Sequence, residues 1–264
     1  MKSKVVSQTN LQNPCQLKIT NQKSLIIYQL IPTFAENFQM HTADKHALGE
    51  IQLFPTKITQ IDDLGNGAYV FYFKRFFNFT TGQVVAISIQ KQDPPRLYSI
   101  ASGEKENELA ILFKVKPDGF LTPRLAVKKV GESVLMSHAF GAFYGTDLPD
   151  CWIAAGTGIA PFRSMLRSGL AENKTLIFGG RTEESFYFHH EFKDQDGLHY
   201  IPCSSVMTKD GFYAGRLTEY LKTTEMKTDR NYFVCGSSEM VVQVRDILIG
   251  KGVEYDQIIA EIYF

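Results

Sequence analysis

The sequence predicts an antiparallel β-barrel followed by a doubly wound α/β domain with a parallel sheet. In the first part, short β-rich runs alternate with turn residues, which is typical of antiparallel barrels and sandwiches. In the second part, compact apolar runs alternate with helical patterns, as expected for strands buried on both faces of a parallel sheet. The runs of the first part are 68–73, 84–89, 109–115 and 133–136, and those of the second are 152–155, 175–178, 199–201 and 232–235.

The change of pattern divides the chain near residues 143–150. A chain of 264 residues is long for one compact domain and sufficient for two. We therefore expect a barrel domain over residues 51–145 and an α/β domain over residues 146–264. Residues 1–50 are rich in Gln, Asn and Thr and contain no motif, so we treat them as an amino-terminal extension of unknown role.

One helix is explicit in the second part. Its apolar residues at positions 240, 241, 244, 247 and 248 follow helical spacing. Ser237 or Ser238 can cap the start of this helix, and Gly250 or Gly252 can cap its end.

The composition is that of an ordinary globular protein, with 44% hydrophobic and 21% charged residues. The net charge is zero, which gives no electrostatic argument for nucleic-acid binding. No segment reaches the ~18 consecutive apolar residues of a membrane helix, and the amino terminus lacks the apolar core of a secretory signal. The sequence thus predicts a cytoplasmic protein without membrane or nucleic-acid partners.

The cysteines and histidines do not form the pattern of a metal site. The four cysteines are Cys15, Cys151, Cys203 and Cys235. They are scattered, whereas zinc sites and iron–sulfur clusters need clustered thiolates. His189 and His190 are adjacent, so on a helix they would point in different directions. We expect no metal, four reduced cysteines and a solvated helix face around the histidines.

The most specific local feature is the run Arg96-Leu97-Tyr98-Ser99, which follows Asp93-Pro94-Pro95. The prolines favour extended backbone here, and alternate side chains of an extended strand share a face. Arg96 and Tyr98 would then present a guanidinium fork for a phosphate beside an aromatic ring. Ser99 adds a hydroxyl at the end of the run.

Two glycine-containing segments are typical of phosphate binding. Gly119 lets the backbone approach a diphosphate, and the hydroxyl of Thr122 with the amides of a following helix could complete the anion site. Gly156-Thr157-Gly158 follows an apolar run and precedes a helical pattern. Glycines at such a place allow a tight turn and the close approach of phosphates to a helix amino terminus.

Five segments, taken in order, resemble the ferredoxin–NADP reductase family. They are 96–102, 119–122, 156–161, 235–240 and the terminal Glu261-Ile262-Tyr263-Phe264. The resemblance covers about residues 55–264. It implies a barrel that binds FAD and an α/β domain that binds a nicotinamide dinucleotide, in an enzyme that transfers hydride between NAD(P)H and FAD and single electrons to a redox protein.

The resemblance also implies the roles of single residues. The FAD ligands would be Arg96, Leu97, Tyr98, Ser99, Gly119 and Thr122. The contacts to the nicotinamide dinucleotide would come from Gly156, Thr157, Gly158 and Cys235. Hydride transfer would take place beside Ser99, Cys235 and Glu261. In the family a terminal tyrosine stacks on the flavin; here Phe264 lies beyond Tyr263, so either ring is a candidate.

The sequence distinguishes less clearly between NADPH and NADH as the nucleotide. Many members of the family have an arginine after the serine of the segment that here reads Pro202-Cys203-Ser204-Ser205, which counts against a standard NADPH pocket. Arg181 and Arg216 could still supply charge for a 2′-phosphate, with Ser204 as a polar neighbour. Family precedent favours NADPH, and NADH stays possible.

The chain has no iron–sulfur motif of its own, so the resemblance implies a separate electron partner such as ferredoxin or flavodoxin. Such partners are acidic, and the barrel half carries a series of basic residues that could steer them. These are Lys91, Lys114, Lys116, Arg124, Lys128 and Lys129. We expect a monomer or a weak dimer.

Two alternatives stay open at this point. One is an NAD(P)H diaphorase or flavin reductase, or the reductase component of an oxygenase. The other is a non-enzymatic flavin-binding interaction module.

Overall fold

The computed structural model describes residues 51–263. The amino-terminal extension, with Cys15, and the terminal Phe264 lie outside the described residues, and the expectations for them stay predictions.

Residues 54–136 form a curled antiparallel sheet, which confirms the predicted barrel. Its strands are β1 Phe54–Gly65, β2 Ala68–Lys74, β3 Val84–Ser88, β4 Arg96–Ser99, β5 Glu108–Lys114 and β6 Ser133–Met136. Their order in the sheet is β4-β3-β6-β1-β2-β5. An antiparallel bridge between Ile100 and Ile111 brings the two edges of the sheet together. A short helix, α1 (Thr122–Ala126), follows β5.

Residues 151–263 form a parallel sheet with helices between its strands, as predicted. The strands are β7 Cys151–Ala155, β8 Lys174–Gly180, β9 Leu198–Ser204, β10 Tyr213–Ala214, β11 Tyr232–Ser237 and β12 Ile258–Tyr263. The helices are α2 Ala160–Arg167, α3 His189–Lys193, α4 Leu217–Thr223 and α5 Ser238–Gly250. The order β10-β9-β8-β7-β11-β12 places a topological switch between β7 and β11. Open α/β sheets bind their ligands at the carboxyl ends of the strands beside such a switch.

Helix α5 has the predicted caps. The Ser237 hydroxyl accepts a hydrogen bond from the Met240 amide at 3.4 Å, which satisfies one of the free donors of the first turn. Beyond the last helical residue, Gly252 has φ of +88°, a left-handed conformation that suits a helix end.

The two sheets share a hydrophobic core. Ala68 and Leu112 of the barrel belong to the same buried cluster as Trp152 and Phe162 of the α/β half. Because one set of contacts spans both halves, burial of apolar surface holds the two sheets together.

Candidate active site

Three residues from distant parts of the chain converge where the barrel meets the parallel sheet. The Ser99 hydroxyl, at the end of β4, donates a hydrogen bond to Glu261 Oε2 at 3.0 Å. The Cys235 thiol lies 3.9 Å from the same oxygen. Cys235 and Glu261 are register partners on the neighbouring strands β11 and β12. The structure thus brings together the three residues that the sequence singled out for hydride transfer.

The environment of Glu261 favours its neutral form. Burial raises the pKa of the Glu261 carboxyl to about 7, although the hydrogen bonds from Ser99 and Cys235 act in the opposite direction. The residue keeps part of its surface, but protein surrounds the carboxyl group itself, so the cost of desolvating its charged form dominates. Glu261 can therefore hold or release a proton near neutral pH.

The substitution Glu261→Gln is expected to change how stability depends on pH. Because folding raises the pKa of Glu261 from 4.5 to about 7, the folded state binds more protons than the unfolded state between these values. The contribution of Glu261 to the free energy of unfolding is complete below the lower value and is lost as the pH rises through the upper one. The loss is about 1–3 kcal/mol.

Glutamine stays neutral, so the variant should lack this loss. Denaturant unfolding of both proteins at about pH 5 and about pH 8 measures the difference. If the free energy of unfolding changed equally with pH in the wild type and in the variant, this result would contradict the raised pKa of Glu261.

Strand β4 presents its motif in the predicted extended conformation. Arg96, Leu97 and Tyr98 are half-buried along it. Arg96 Nη1 donates to the carbonyl oxygen of its neighbour Pro95 at 3.3 Å, which leaves most of the guanidinium fork available. The Tyr98 ring packs edge-on against Phe113, with 6.3 Å between ring centroids. Burial raises the pKa of Tyr98, so its hydroxyl stays protonated.

The turn around Gly119 lies beside the segment that leads into β4. The Thr122 hydroxyl accepts a hydrogen bond from the Lys116 amide at 2.9 Å and so closes the turn. A Cβ at Gly119 would lie 2.9 Å from the Lys116 carbonyl oxygen, so local packing by itself requires glycine. Arg124 pairs with the buried Asp93 at 2.8 Å and links α1 to the start of β4. The charge of Arg124 is thus engaged within the protein.

The loop between β7 and α2 packs on the end of β11. Residues 156–159 form a short 3₁₀ turn that leads directly into α2. Gly156 has φ of +56° and open space where a Cβ would be, with the half-buried Thr157 next to it. Gly158 is buried, and a Cβ there would lie 2.6 Å from the Cys235 carbonyl carbon. The first glycine therefore borders open space, whereas the second is needed for close packing.

The candidates for the ribose and its phosphate lie at the carboxyl ends of β8, β9 and β10. Arg181 follows β8, Ser204 ends β9, and Arg216 follows β10 closely. Both arginines are exposed. The Ser204 hydroxyl donates to the Arg181 carbonyl at 2.8 Å and accepts from the Met207 amide at 3.0 Å. Ser204 therefore orders the loop that carries Arg181, and the two arginines supply the charge at this edge.

The histidine pair differs from the expected solvated face. His189 is half-buried, its ring stacks on Phe212 at 5.3 Å, and its Nδ1 lies 3.1 Å from the Tyr200 hydroxyl. Burial and the neighbouring His190 lower the pKa of His189. Helix α3 packs against β9, and this tertiary contact is not visible in a run of adjacent polar residues.

Within residues 51–263, no three His, Cys, Asp or Glu side chains are grouped so that they could hold a metal ion. No helix in that part of the chain is both long and apolar enough to cross a bilayer. Cys151, Cys203 and Cys235 are buried, and none of the three forms a disulfide.

Strand β12 is an edge strand of the parallel sheet. Tyr263 is the last residue of β12 and pairs in register with Ser237. Phe264 lies beyond the described residues, so the choice between the two rings as the stacking group stays a prediction.

Comparison with known proteins supports the same family. The family model of the oxidoreductase NAD-binding domain matches residues 152–246. The electron transfer component of toluate 1,2-dioxygenase from Pseudomonas putida is 28% identical over 67% of this chain and 56% of the relative's length. The flavodoxin/ferredoxin–NADP reductase of Shigella flexneri is 28% identical over 62% of this chain and 76% of its own. The chain thus spans little more than half the length of the first of these relatives.

Solved structures share the fold. A ferredoxin NADP⁺ reductase from Neisseria gonorrhoeae, with bound FAD and NADP, superimposes with a TM-score of 0.73. The two chains are 22% identical, and the match covers 81% of this chain and 100% of the other. A likeness at this level of identity establishes the arrangement of barrel and parallel sheet.

Proposed function

We propose that this chain is a flavoprotein oxidoreductase of the ferredoxin reductase family, to which the matching family model and relatives point. It would transfer hydride between NAD(P)H and FAD, and single electrons between FAD and a redox protein. The observation that carries the proposal is the contact of Ser99 and Cys235 with Glu261. This contact joins the two sheets beside the topological switch, where α/β folds bind ligands. A protein that only bound flavin would have no need of a carboxyl that titrates near neutral pH there.

Each half would bind one of the two cofactors. FAD would bind to residues 51–145, and the nicotinamide dinucleotide would bind to residues 146–264. The described side chains fit this division. Arg96 has an available guanidinium fork, and the half-buried Tyr98 ring is anchored by Phe113. Gly156 borders open space at the carboxyl edge of the parallel sheet.

Each residue would contribute binding, orientation or a proton. Arg96 would hold a flavin phosphate, Tyr98 would pack on the ring system, and the Gly119 turn would seat the pyrophosphate. A bound flavin supplies what side chains cannot, the conversion of a two-electron donor into single electrons. Ser99 would orient its hydroxyl toward the reacting ring, and Glu261 Oε2 would hold or release the accompanying proton.

The electron partner would be a small acidic redox protein such as ferredoxin or flavodoxin, in the cytoplasm. Support comes from the names of two groups of relatives, which are flavodoxin/ferredoxin–NADP reductases and oxygenase components. Among the nucleotides we favour NADPH. The exposed Arg181 and Arg216 place positive charge after the carboxyl ends of β8 and β10, where the ribose and its 2′-phosphate would bind.

The test is an anaerobic titration of the purified, FAD-loaded protein with NADPH and, separately, with NADH. Rapid bleaching of the flavin absorption bands is expected, faster with NADPH. Ser99→Ala should keep its FAD and slow the bleaching by at least about tenfold, because a positioned hydrogen bond is lost. The control Ser133→Ala removes a hydroxyl from an exposed position at the start of β6 and should match the wild type.

Three outcomes would count against the proposal. A yellow protein that neither nucleotide bleaches would point to a binding module. A protein that cannot be loaded with FAD would contradict the role of Arg96. Equal rates for Ser99→Ala and the wild type would contradict the role of Ser99.

A second candidate is the reductase component of an oxygenase. It is favoured by the dioxygenase relative from Pseudomonas putida and by a methane monooxygenase component from Methylosinus trichosporium, 33% identical over 44% of this chain. Turnover with ferredoxin, compared with turnover with ferricyanide and with an oxygenase partner, separates this candidate from the first.

A further inference from the structure

The hydrogen bond between Ser99 and Glu261 crosses from the barrel to the parallel sheet, so its geometry depends on how the two sheets are held. A second polar junction between the sheets lies on α2. This helix begins immediately after the Gly156 loop, and one of its faces meets residues 101–106 of the barrel. We call this junction the α2 seam and define it by Thr81, Ser102, Glu104, Ser164 and Ser168.

A chain of buried hydrogen bonds, through two hydroxyls to a backbone carbonyl oxygen, forms the centre of the α2 seam. The Thr81 hydroxyl donates to Ser164 Oγ at 2.7 Å, and Ser164 in turn donates to the Ser102 carbonyl oxygen at 2.7 Å. The Ser102 hydroxyl accepts from the Ala110 amide of β5 at 3.0 Å. Thr81, Ser102 and Ser164 are 2%, 1% and 0% exposed. Each of these polar groups has a hydrogen-bond partner inside the protein. The bonds therefore favour one position of α2 relative to the barrel.

Glu104 makes one further bond across the same junction, to Ser168, and one within the barrel half, to Thr81. Its carboxylate accepts from the Thr81 amide at 2.6 Å, and its own amide donates to Ser168 Oγ at 3.0 Å. The backbones also meet closely, because a Cβ at Gly103 would lie 2.6 Å from the Arg167 carbonyl oxygen. Neither helix nor loop can slide along the other without breaking these contacts.

The α2 seam is therefore linked to both halves of the site by short stretches of backbone. Ser102 is three residues after Ser99, and α2 begins two residues after Gly158, which packs on Cys235. An apolar contact would hold the sheets together equally well but would not specify their register.

We propose that Ser164 is a positioning residue, and that the hydrogen-bond chain from the Thr81 hydroxyl through Ser164 Oγ to the Ser102 carbonyl oxygen fixes the distance between the β4 motif and the loop of residues 156–159. This inference rests on the proposed function for its kinetic consequence. Misplacement of reacting groups by about 1 Å can slow a reaction by up to about a hundredfold. Loss of this hydrogen-bond chain should thus slow hydride transfer while leaving FAD bound, because Ser164 belongs to neither predicted binding set.

The experiment compares FAD-loaded Ser164→Ala with the wild type by anaerobic stopped flow and by hydrogen–deuterium exchange of residues 99–106. We expect unchanged FAD content, bleaching by NADPH slowed by about tenfold or more, and faster exchange in that segment. A variant that had only lost stability would keep the wild-type bleaching rate below its melting temperature. Bleaching within about twofold of the wild type would overturn the proposal.

A second pair of variants decides the matter if Ser164→Ala does not fold. Thr81→Val removes the donor at nearly constant shape, whereas Thr81→Ser keeps it. The proposal expects slower bleaching for Thr81→Val and near wild-type bleaching for Thr81→Ser and the control Ser133→Ala; equal rates for the two Thr81 variants would overturn it. If neither nucleotide bleaches the wild type, the proposed function fails, and the seam is then tested by hydrogen–deuterium exchange alone. Faster exchange of residues 99–106 in Ser164→Ala than in the wild type supports the positioning role of the seam. Unchanged exchange overturns it.

Discussion

Replacing Lys174 with methionine is expected to lower the free energy of unfolding by about 3–5 kcal/mol. The Lys174 side chain is fully buried at the start of β8 and lies 3.4 Å from the equally buried Asp150 carboxylate. Its ammonium donates to the carbonyl oxygens of Thr146, at 2.8 Å, and of Leu148. The substitution would leave a buried carboxylate without its counter-charge, and the segment between the two sheets would lose its anchor.

Denaturant unfolding measures this effect, with Lys209→Met as the matched control. Lys209 pairs with Glu183 on the surface, where both side chains are largely exposed, so its loss should cost less than about 1 kcal/mol. Adding Asp150→Asn to Lys174→Met should recover part of the loss, because the uncompensated charge is removed. A Lys174→Met protein as stable as the Lys209 control would show that the buried pair does not stabilise the fold.

Gly158→Ala is expected to have the second large effect, on both stability and hydride transfer. The new methyl would lie 2.6 Å from the Cys235 carbonyl carbon and 2.9 Å from the Gly236 amide nitrogen. These are backbone atoms of a central strand and cannot move aside cheaply, so the loop must shift away from β11. Overpacking of this kind costs about 1–3 kcal/mol, and a shifted loop should slow hydride transfer by about tenfold or more.

The control is Gly250→Ala at the end of α5. Nothing lies within 4 Å of the position of its Cβ, so alanine should be neutral or should stabilise the helix by up to about 1 kcal/mol. Thermal unfolding and anaerobic bleaching of both variants measure the two effects. If Gly158→Ala matched Gly250→Ala in both assays, the close packing of residues 156–159 on β11 would matter neither for stability nor for the proposed hydride transfer.

Much of the fold was predictable, because local patterns and burial agreed. The central strands β7 and β8 are continuous apolar runs, and α5 combines helical spacing with a serine cap. Strand β1 is not among the strands that the sequence predicts. Its register with β2 shifts between Ile58 and Gln60, which breaks the alternation that identifies a strand from sequence.

The candidate site was predictable in its residue types but not in its contacts. Ser99, Cys235 and Glu261 each stand in a recognisable motif, and a motif can be read without knowing its neighbours in space. The raised pKa of Glu261 depends on how densely protein surrounds its carboxyl, which no local pattern reports. The same is true of Arg124, whose partner Asp93 lies 31 positions earlier in the chain.

The sequence by itself determined the order of barrel and parallel sheet, the glycine turns and the residues of the five motifs, because these depend on short-range periodicity and on residue chemistry. Only the tertiary structure decided which side chains meet. It pairs Ser99 with Glu261 across 162 positions of the chain and Thr81 with Ser164 across 83. Such pairings follow from strand order and helix packing, which set distances between residues that no spacing along the chain encodes.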